Sequence, residues 1–183
     1  FLMATGDASY ADRIERCMFN AALGCITKDF KSMQYFSCPN QFIATGESNH
    51  NGFKYGLTWM QYRPIHETEC CIGNLHRYFP NYVSRMWMKD ASGSPVAALY
   101  GPCSVVYDLG DGLSVRIDEQ TAYPFDTKID FRFTFYQDGK LSKKPHHMSF
   151  TYRVPSWCKA GEPGFHTQTN DWKSGDVFTL ELP

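Results

Sequence analysis

The feature that most constrains this chain is a change of hydrophobic period part-way along it. Beyond residue 95 apolar residues recur at every second position: Leu113, Val115 and Ile117; Ile129, Phe131, Phe133 and Phe135; Met148, Phe150, Tyr152 and Val154; Phe178, Leu180 and Leu182. A period of two places every apolar side chain of a strand on one face, so each run predicts a half-buried strand. The turn signals "GDG" at 110–112, "DGK" at 138–140 and "SGD" at 174–176 separate the runs. Short alternating strands with turns at this spacing predict an antiparallel β-sandwich.

The first half reads differently. In "GDASYADRIERCMFNAALG", Tyr10, Ile14, Met18 and Ala21 form one helical stripe, Asp7 or Ser9 is a cap, Ser9 with Asp12 has capping-box spacing, and Gly24 is a stop. Residues 25–60 lack sustained periodicity, although "KSMQYFSCPNQ" reads as a short strand ended by Cys38, Pro39 and Asn40. A second helix is predicted over 74–88, capped by Asn74, with a kink or restart at Pro80. "KDASGSP" at 89–95 reads as a linker. The fold class is therefore α+β: a helical domain over 1–92 and a β-sandwich domain over 93–183.

Bulk composition narrows function only by exclusion. A formal net charge of -1 provides no general pull towards nucleic acid or anionic membrane, so neither is an expected partner. No apolar run reaches the roughly 20 residues of a membrane helix. The chain opens on "FLM" and closes on "VFTLELP", which reads as a piece of a longer protein. The compartment cannot be read from it.

Seven cysteines at irregular spacing do not make a disulfide scaffold and are expected to be mostly free thiols. Cys70 and Cys71 in "HETECCIGNLHR" are adjacent, and the residues alone leave several readings open: two buried thiols, a strained vicinal disulfide, or a metal or catalytic pair. Two thiolates can face one zinc ion if the backbone turns between them. Glu15 and Cys17 are a false partner, because positions i and i+2 of a helix point about 200° apart. His146 and His147 read as a solvated turn, and Trp157 and Trp172 read as core. No GxSxG, HExxH, P-loop or GxGxxG pattern occurs.

Taken together, "TGDASYADRIERCMFNAALG", "ECCIGNLHRYFPNYVSRMWM", "AYPFDTKIDF", "FTYRVPSWC" and "WKSGDVFTLELP" resemble, in that order, the β-L-arabinofuranosidase family of glycoside hydrolases, family 127. The resemblance spans nearly the whole chain, and its most specific element is CC-x-x-N-x-x-R. It implies the last helices of an (α/α)6 barrel followed by an antiparallel β-sandwich. It implies a carbohydrate substrate, L-arabinofuranose or a similar sugar, and a retaining hydrolase with Cys70 as nucleophile. It also implies zinc held by Cys70 and Cys71, plus a glutamate and a cysteine of an E-x-C motif upstream of this chain, where the acid/base glutamate also lies.

The family's further cysteine just before the pair is replaced by Thr68. His66, Glu67 and Asn74 flank the pair and are the expected substrate-binding residues, with Asn74 also readable as a helix cap. Such a piece is expected to be inactive alone and to leave apolar helix surface at 1–30 and 74–88 for other chains to cover. The alternatives are a non-catalytic carbohydrate-binding or interaction module, marked by exposed aromatics on a sheet face, and a structural zinc site without catalysis.

Overall fold

The computed structural model describes residues 1–37, 41, 43–45, 60–65, 70–159 and 161–183, together with the backbone but not the side chain of Ile72. The chain divides into two compact units, Phe1–Asp12 with Ser84–Pro183, and Arg13–Val83.

The first unit is built on two sheets. Strands β1 (Trp87–Lys89), β2 (Pro95–Ala97), β7 (His146–Val154) and β8 (Gly164–Trp172) form one, in the order β1-β2-β7-β8. Strands β3 (Cys103–Gly110), β4 (Leu113–Thr121), β5 (Lys128–Gln137) and β6 (Lys140–Leu141) form the other, with β9 (Val177–Glu181) also paired to β5. The alternating runs fall on β4, β5, β7 and β9, and Ile129, Phe131, Phe133 and Phe135 are each fully buried. The expected turns hold: Gly110, Asp111 and Gly112 take positive φ, as do Asp138 and Gly139, the conformation tight hairpins require. The antiparallel expectation holds with one exception, since β2 runs parallel to β7, pairing Val96 with Thr151.

Between the sheets lies a ring cluster. Phe150 stands 5.1 Å from Phe131, 5.5 Å from Phe133, 5.9 Å from Trp87 and 5.6 Å from Phe178, measured between ring centroids. Offset and edge-on arrays of this kind add to the burial of the rings themselves. Trp172 joins through Phe133 at 4.6 Å and is buried, as its reading as core required. Trp157 departs from that reading, being 50% exposed on the loop after β7.

Among the described residues of this unit, the buried charged side chains are Glu119 and Arg153. Glu119 accepts from the Trp87 indole at 2.9 Å and from the Gly101 N–H at 3.0 Å. Beside that carboxylate, burial first and then the negative charge push the Cys103 thiol up to about 12. Arg153 is fully buried, donating from Nε to the Ala98 carbonyl at 2.7 Å and from Nη1 to the Asp12 carboxylate. Asp12 also accepts the Ser156 N–H at 3.1 Å, so its carboxylate ties the start of a helix to the sandwich.

The "KDASGSP" stretch is a hairpin turn rather than a linker. Lys89 pairs with Pro95 across it, and Asp90 Oδ1 accepts the N–H groups of Ser92 and Ser94. The expected boundary at 92/93 thus lies inside the β1–β2 hairpin, and Trp87 and Met88, expected in a helix, are in β1.

Helices α1 (Leu2–Thr5) and α2 (Ser9–Arg16) open the chain, and α2 runs on as a π-helical segment over Cys17–Ala22. Asp7 is the side-chain cap, its Oδ1 accepting the Ser9 N–H at 2.9 Å. The buried positions are Ala11, Glu15, Met18 and Ala22, rather than the expected stripe of Tyr10, Ile14, Met18 and Ala21, and the difference already begins ahead of the π-helical segment.

In the second unit, α3 (Cys70–Leu75) begins four residues ahead of the predicted helix, and α4 (Tyr78–Val83) follows after a break. Pro80 sits in the first turn of α4, where a missing N–H costs nothing; the expected restart is there, two residues earlier than the proline. The short strand expected at 31–41 is, over its described residues, only a pair of bridges from Met33 to Ile26 and Arg63; Cys38, Pro39 and Asn40 lie outside the described residues. Apolar exposure is mixed: Phe1, Met3, Phe30 and Val83 are each more than 60% exposed, while Leu2, Met18, Tyr82 and Met86 are buried. Among the described residues no helix is long and apolar enough to cross a membrane.

Candidate active site

The site is built in the Arg13–Val83 unit from three short passes of backbone and one helix. Ile26 pairs with Met33, and Met33 with Arg63. Alongside, the Gln34 N–H donates to the Cys25 carbonyl at 2.7 Å, and the buried Gln34 amide donates to the Met60 carbonyl at 2.5 Å. Gln41 donates to the same carbonyl at 2.8 Å. These bonds fix the chain on either side of Tyr35, whose ring also packs edge-on to Phe36 at 4.8 Å.

Held in this way, the Tyr35 hydroxyl lies 3.1 Å from Cys70 Sγ. Cys70 and Cys71 occupy the first turn of α3, with their sulfurs 3.9 Å apart. That separation excludes the vicinal disulfide, whose S–S bond is about 2.05 Å. Cys70 is exposed and Cys71 partly so, which removes the reading of two buried thiols.

The two thiols differ in acidity for different physical reasons. Donation from Tyr35 holds Cys70 below the usual thiol range. Burial pushes Cys71 up, and the neighbouring Cys70 adds to that. The tyrosine hydroxyl, stabilised as a donor to sulfur, is correspondingly raised. The two sulfurs are thus distinguished by their surroundings, with the more thiolate-like sulfur the more accessible.

Two thiolates on one tetrahedral zinc, each at about 2.3 Å, stand about 3.8 Å apart. The observed spacing therefore fits two corners of such a site without rearrangement. Among the described residues no group of three or more His, Cys, Asp or Glu side chains is arranged to hold a metal ion. Cys25, a third thiol at which the charge of Cys71 is felt, donates to the Ala22 carbonyl at 3.2 Å. Glu15 is buried and accepts from the Tyr82 hydroxyl at 3.4 Å, whereas Cys17 is exposed, so the two do not converge.

Asn74 does not cap a helix: it lies in α3, and its amide donates to the Cys70 carbonyl at 2.5 Å. His66 and Glu67 lie outside the described residues, as does Thr68. Tyr35 is the site residue that sequence reasoning missed. Its signal was weak, one tyrosine in an aperiodic segment 35 positions before the cysteine it meets.

Residues 1–84 match the model of the β-L-arabinofuranosidase GH127 catalytic domain. That segment, a little under half of the chain, is similar to this family's catalytic domain. The GH127 match thus covers α1 to α4 and both cysteines. No curated protein matches the sequence.

Three solved structures have similar folds over 100% of the chain. One is described as a glycoside hydrolase, with 23% identity and a TM-score of 0.74. Another is a GH127 β-L-arabinofuranosidase from Geobacillus stearothermophilus T6, with 20% identity and a TM-score of 0.75. The third is the GH127 β-arabinofuranosidase BT3674, with 16% identity and a TM-score of 0.73. The chain spans 30%, 29% and 30% of their respective lengths.

Proposed function

We propose that this chain is part of a retaining glycoside hydrolase that releases L-arabinofuranose or a similar sugar, with Cys70 as the nucleophile. In the whole protein the α1–α4 segment would belong to an (α/α)6 barrel, with the sandwich following it. The observation that carries the reading is the Tyr35 hydroxyl 3.1 Å from an exposed Cys70 sulfur, on the segment that matches the GH127 catalytic domain.

A retaining glycosidase needs a nucleophile on one face of the anomeric carbon and a proton donor on the other. Donation from Tyr35 keeps Cys70 ionised for attack, and Cys70 forms the bond to the anomeric carbon as the aglycone leaves. When the thioglycoside is hydrolysed, the same hydroxyl is placed to receive the returning thiolate. The Asn74 amide holds the Cys70 carbonyl and so the direction of the Cα–Cβ bond. His66, Glu67 and Asn74 are the proposed partners of the sugar hydroxyls.

Cys70 and Cys71 would hold a zinc ion with two ligands from elsewhere in the protein. Bound there, zinc would favour the thiolate over the thiol, both before attack and on departure. The acid/base glutamate is likewise proposed to lie outside these residues.

Replacing Cys70 by Ser in the longer protein tests the reading. Turnover of an aryl β-L-arabinofuranoside is expected to fall by more than about a thousandfold, as when a covalent nucleophile is removed, with the melting temperature kept. Unfolding of the variant would instead favour a structural zinc site. The carbohydrate-binding alternative finds less support, because the period-two aromatics on β5 and β7 lie between the sheets rather than on an open face.

A further inference from the structure

We infer that Cys70 and Cys71 act as a chelating dithiol that captures a trivalent organic arsenical at a single arsenic atom. This ligand class differs from both the sugar and zinc, and its capture needs neither turnover nor any residue outside the chain. It does not rest on the hydrolase reading.

Three observations carry the inference. The sulfurs stand 3.9 Å apart, unbridged, with Cys70 exposed and Cys71 partly exposed. Both belong to the same turn of α3, and the Asn74 amide anchors the Cys70 carbonyl, so their spacing is set by backbone rather than by two independent loops. Tyr35 meets Cys70 through its hydroxyl, which fixes the direction of that sulfur without a covalent block. A soft thiolate pair favours a soft centre. Once one sulfur has bonded to arsenic, the second closes the ring intramolecularly, at an effective concentration no separate thiol can match.

The reaction balances without an oxidant. A monosubstituted arsenoxide and two thiols form two As–S bonds; the As=O bond is lost, and its oxygen leaves as water with both thiol protons. Arsenic remains trivalent throughout.

Cys25 is the strongest rival second sulfur, being electrostatically coupled to Cys71. Cys103 is half-buried, with its thiol directed to Glu119 at 3.6 Å, and Cys17 lies on the π-helical segment.

The test treats the 183-residue chain with one equivalent of phenylarsine oxide. Intact mass and thiol titration are read together, followed by proteolytic mapping of the arsenical. One adduct per chain, with two thiols lost and both mapped to the Cys70–Cys71 peptide, is expected. Cys70→Ser and Cys71→Ser should each raise the arsenical concentration for half-capture roughly a hundredfold. Cys25→Ser should leave it unchanged, and a small dithiol should reverse capture in every case. An adduct mapped to another peptide, or capture surviving both serine variants, would overturn the inference. So would its loss in Cys25→Ser. The mapping uses the unaltered chain, so a variant that fails to fold does not decide the outcome.

Discussion

At the scale of single residues, the site depends on one hydroxyl meeting one sulfur. The thiolate is the reactive form, and donation from Tyr35 favours it over the thiol, so the Cys70 titration lies below the ordinary thiol range. Reactivity is therefore present above that point and lost as pH falls through it. Measured as the pH dependence of iodoacetamide alkylation, Cys70 is expected to inflect at lower pH than Cys71, whose burial pushes it the other way. Replacing Tyr35 by Phe removes the donor and should move the Cys70 inflection upwards, leaving the plateau rate at high pH nearly unchanged. An inflection that stays put would show that Tyr35 does not set the acidity of Cys70.

At the scale of elements, the informative contact is the one between the Asp12 carboxylate, on α2, and the buried Arg153 of β7. Removing one partner of a buried pair leaves the other charge uncompensated, which typically costs about 3–5 kcal/mol. Asp12→Ala is expected to fall near the lower end, because Asp12 is itself 17% exposed. Urea unfolding should show the midpoint falling with little change in slope. A loss below about 1 kcal/mol, the range of surface pairs, would mean that Arg153 finds compensation elsewhere. The β1–β2 turn makes a related point. A stretch composed like a linker is tied by Asp90 into a hairpin, since the same short polar residues that favour open loops also bond neighbouring N–H groups.

At the scale of the molecule, the proposed site would take two sulfurs and a tyrosine from this chain, its remaining ligands and acid/base being proposed to lie outside these residues. The 183-residue chain alone is therefore expected to show no hydrolysis of an aryl β-L-arabinofuranoside, while the longer protein turns it over. Detectable activity in the shorter chain that follows its concentration and vanishes in Cys70→Ser would mean that these residues suffice. Zinc content compared between the two gives an independent readout, with stoichiometric metal expected only in the longer form. The exposure of Phe1, Met3, Phe30 and Val83 adds a second expectation at this scale. Apolar residues left to solvent favour association, so the chain should sediment as more than a monomer at high concentration unless those positions are replaced by polar residues.

The sequence by itself determined four strands of the sandwich, β4, β5, β7 and β9, with their inward faces and the turns at 110–112 and 138–140. That information is local: alternation decides the face, and glycine or aspartate at positive φ decides the turn. It also determined that Cys70 and Cys71 were the residues to watch, through a short motif. Tertiary structure alone decided that Tyr35 reaches Cys70, that Asp12 serves Arg153, and that the buried line of α2 and its π-helical continuation ends at Ala22 rather than Ala21. The first two join residues 35 and 141 positions apart, a separation no periodic pattern spans. The third reflects which face of the helix the rest of the fold covers: Ala11 and Glu15 are buried where the pattern pointed to Tyr10 and Ile14, and a helical period fixes the spacing of a buried line but not its neighbours.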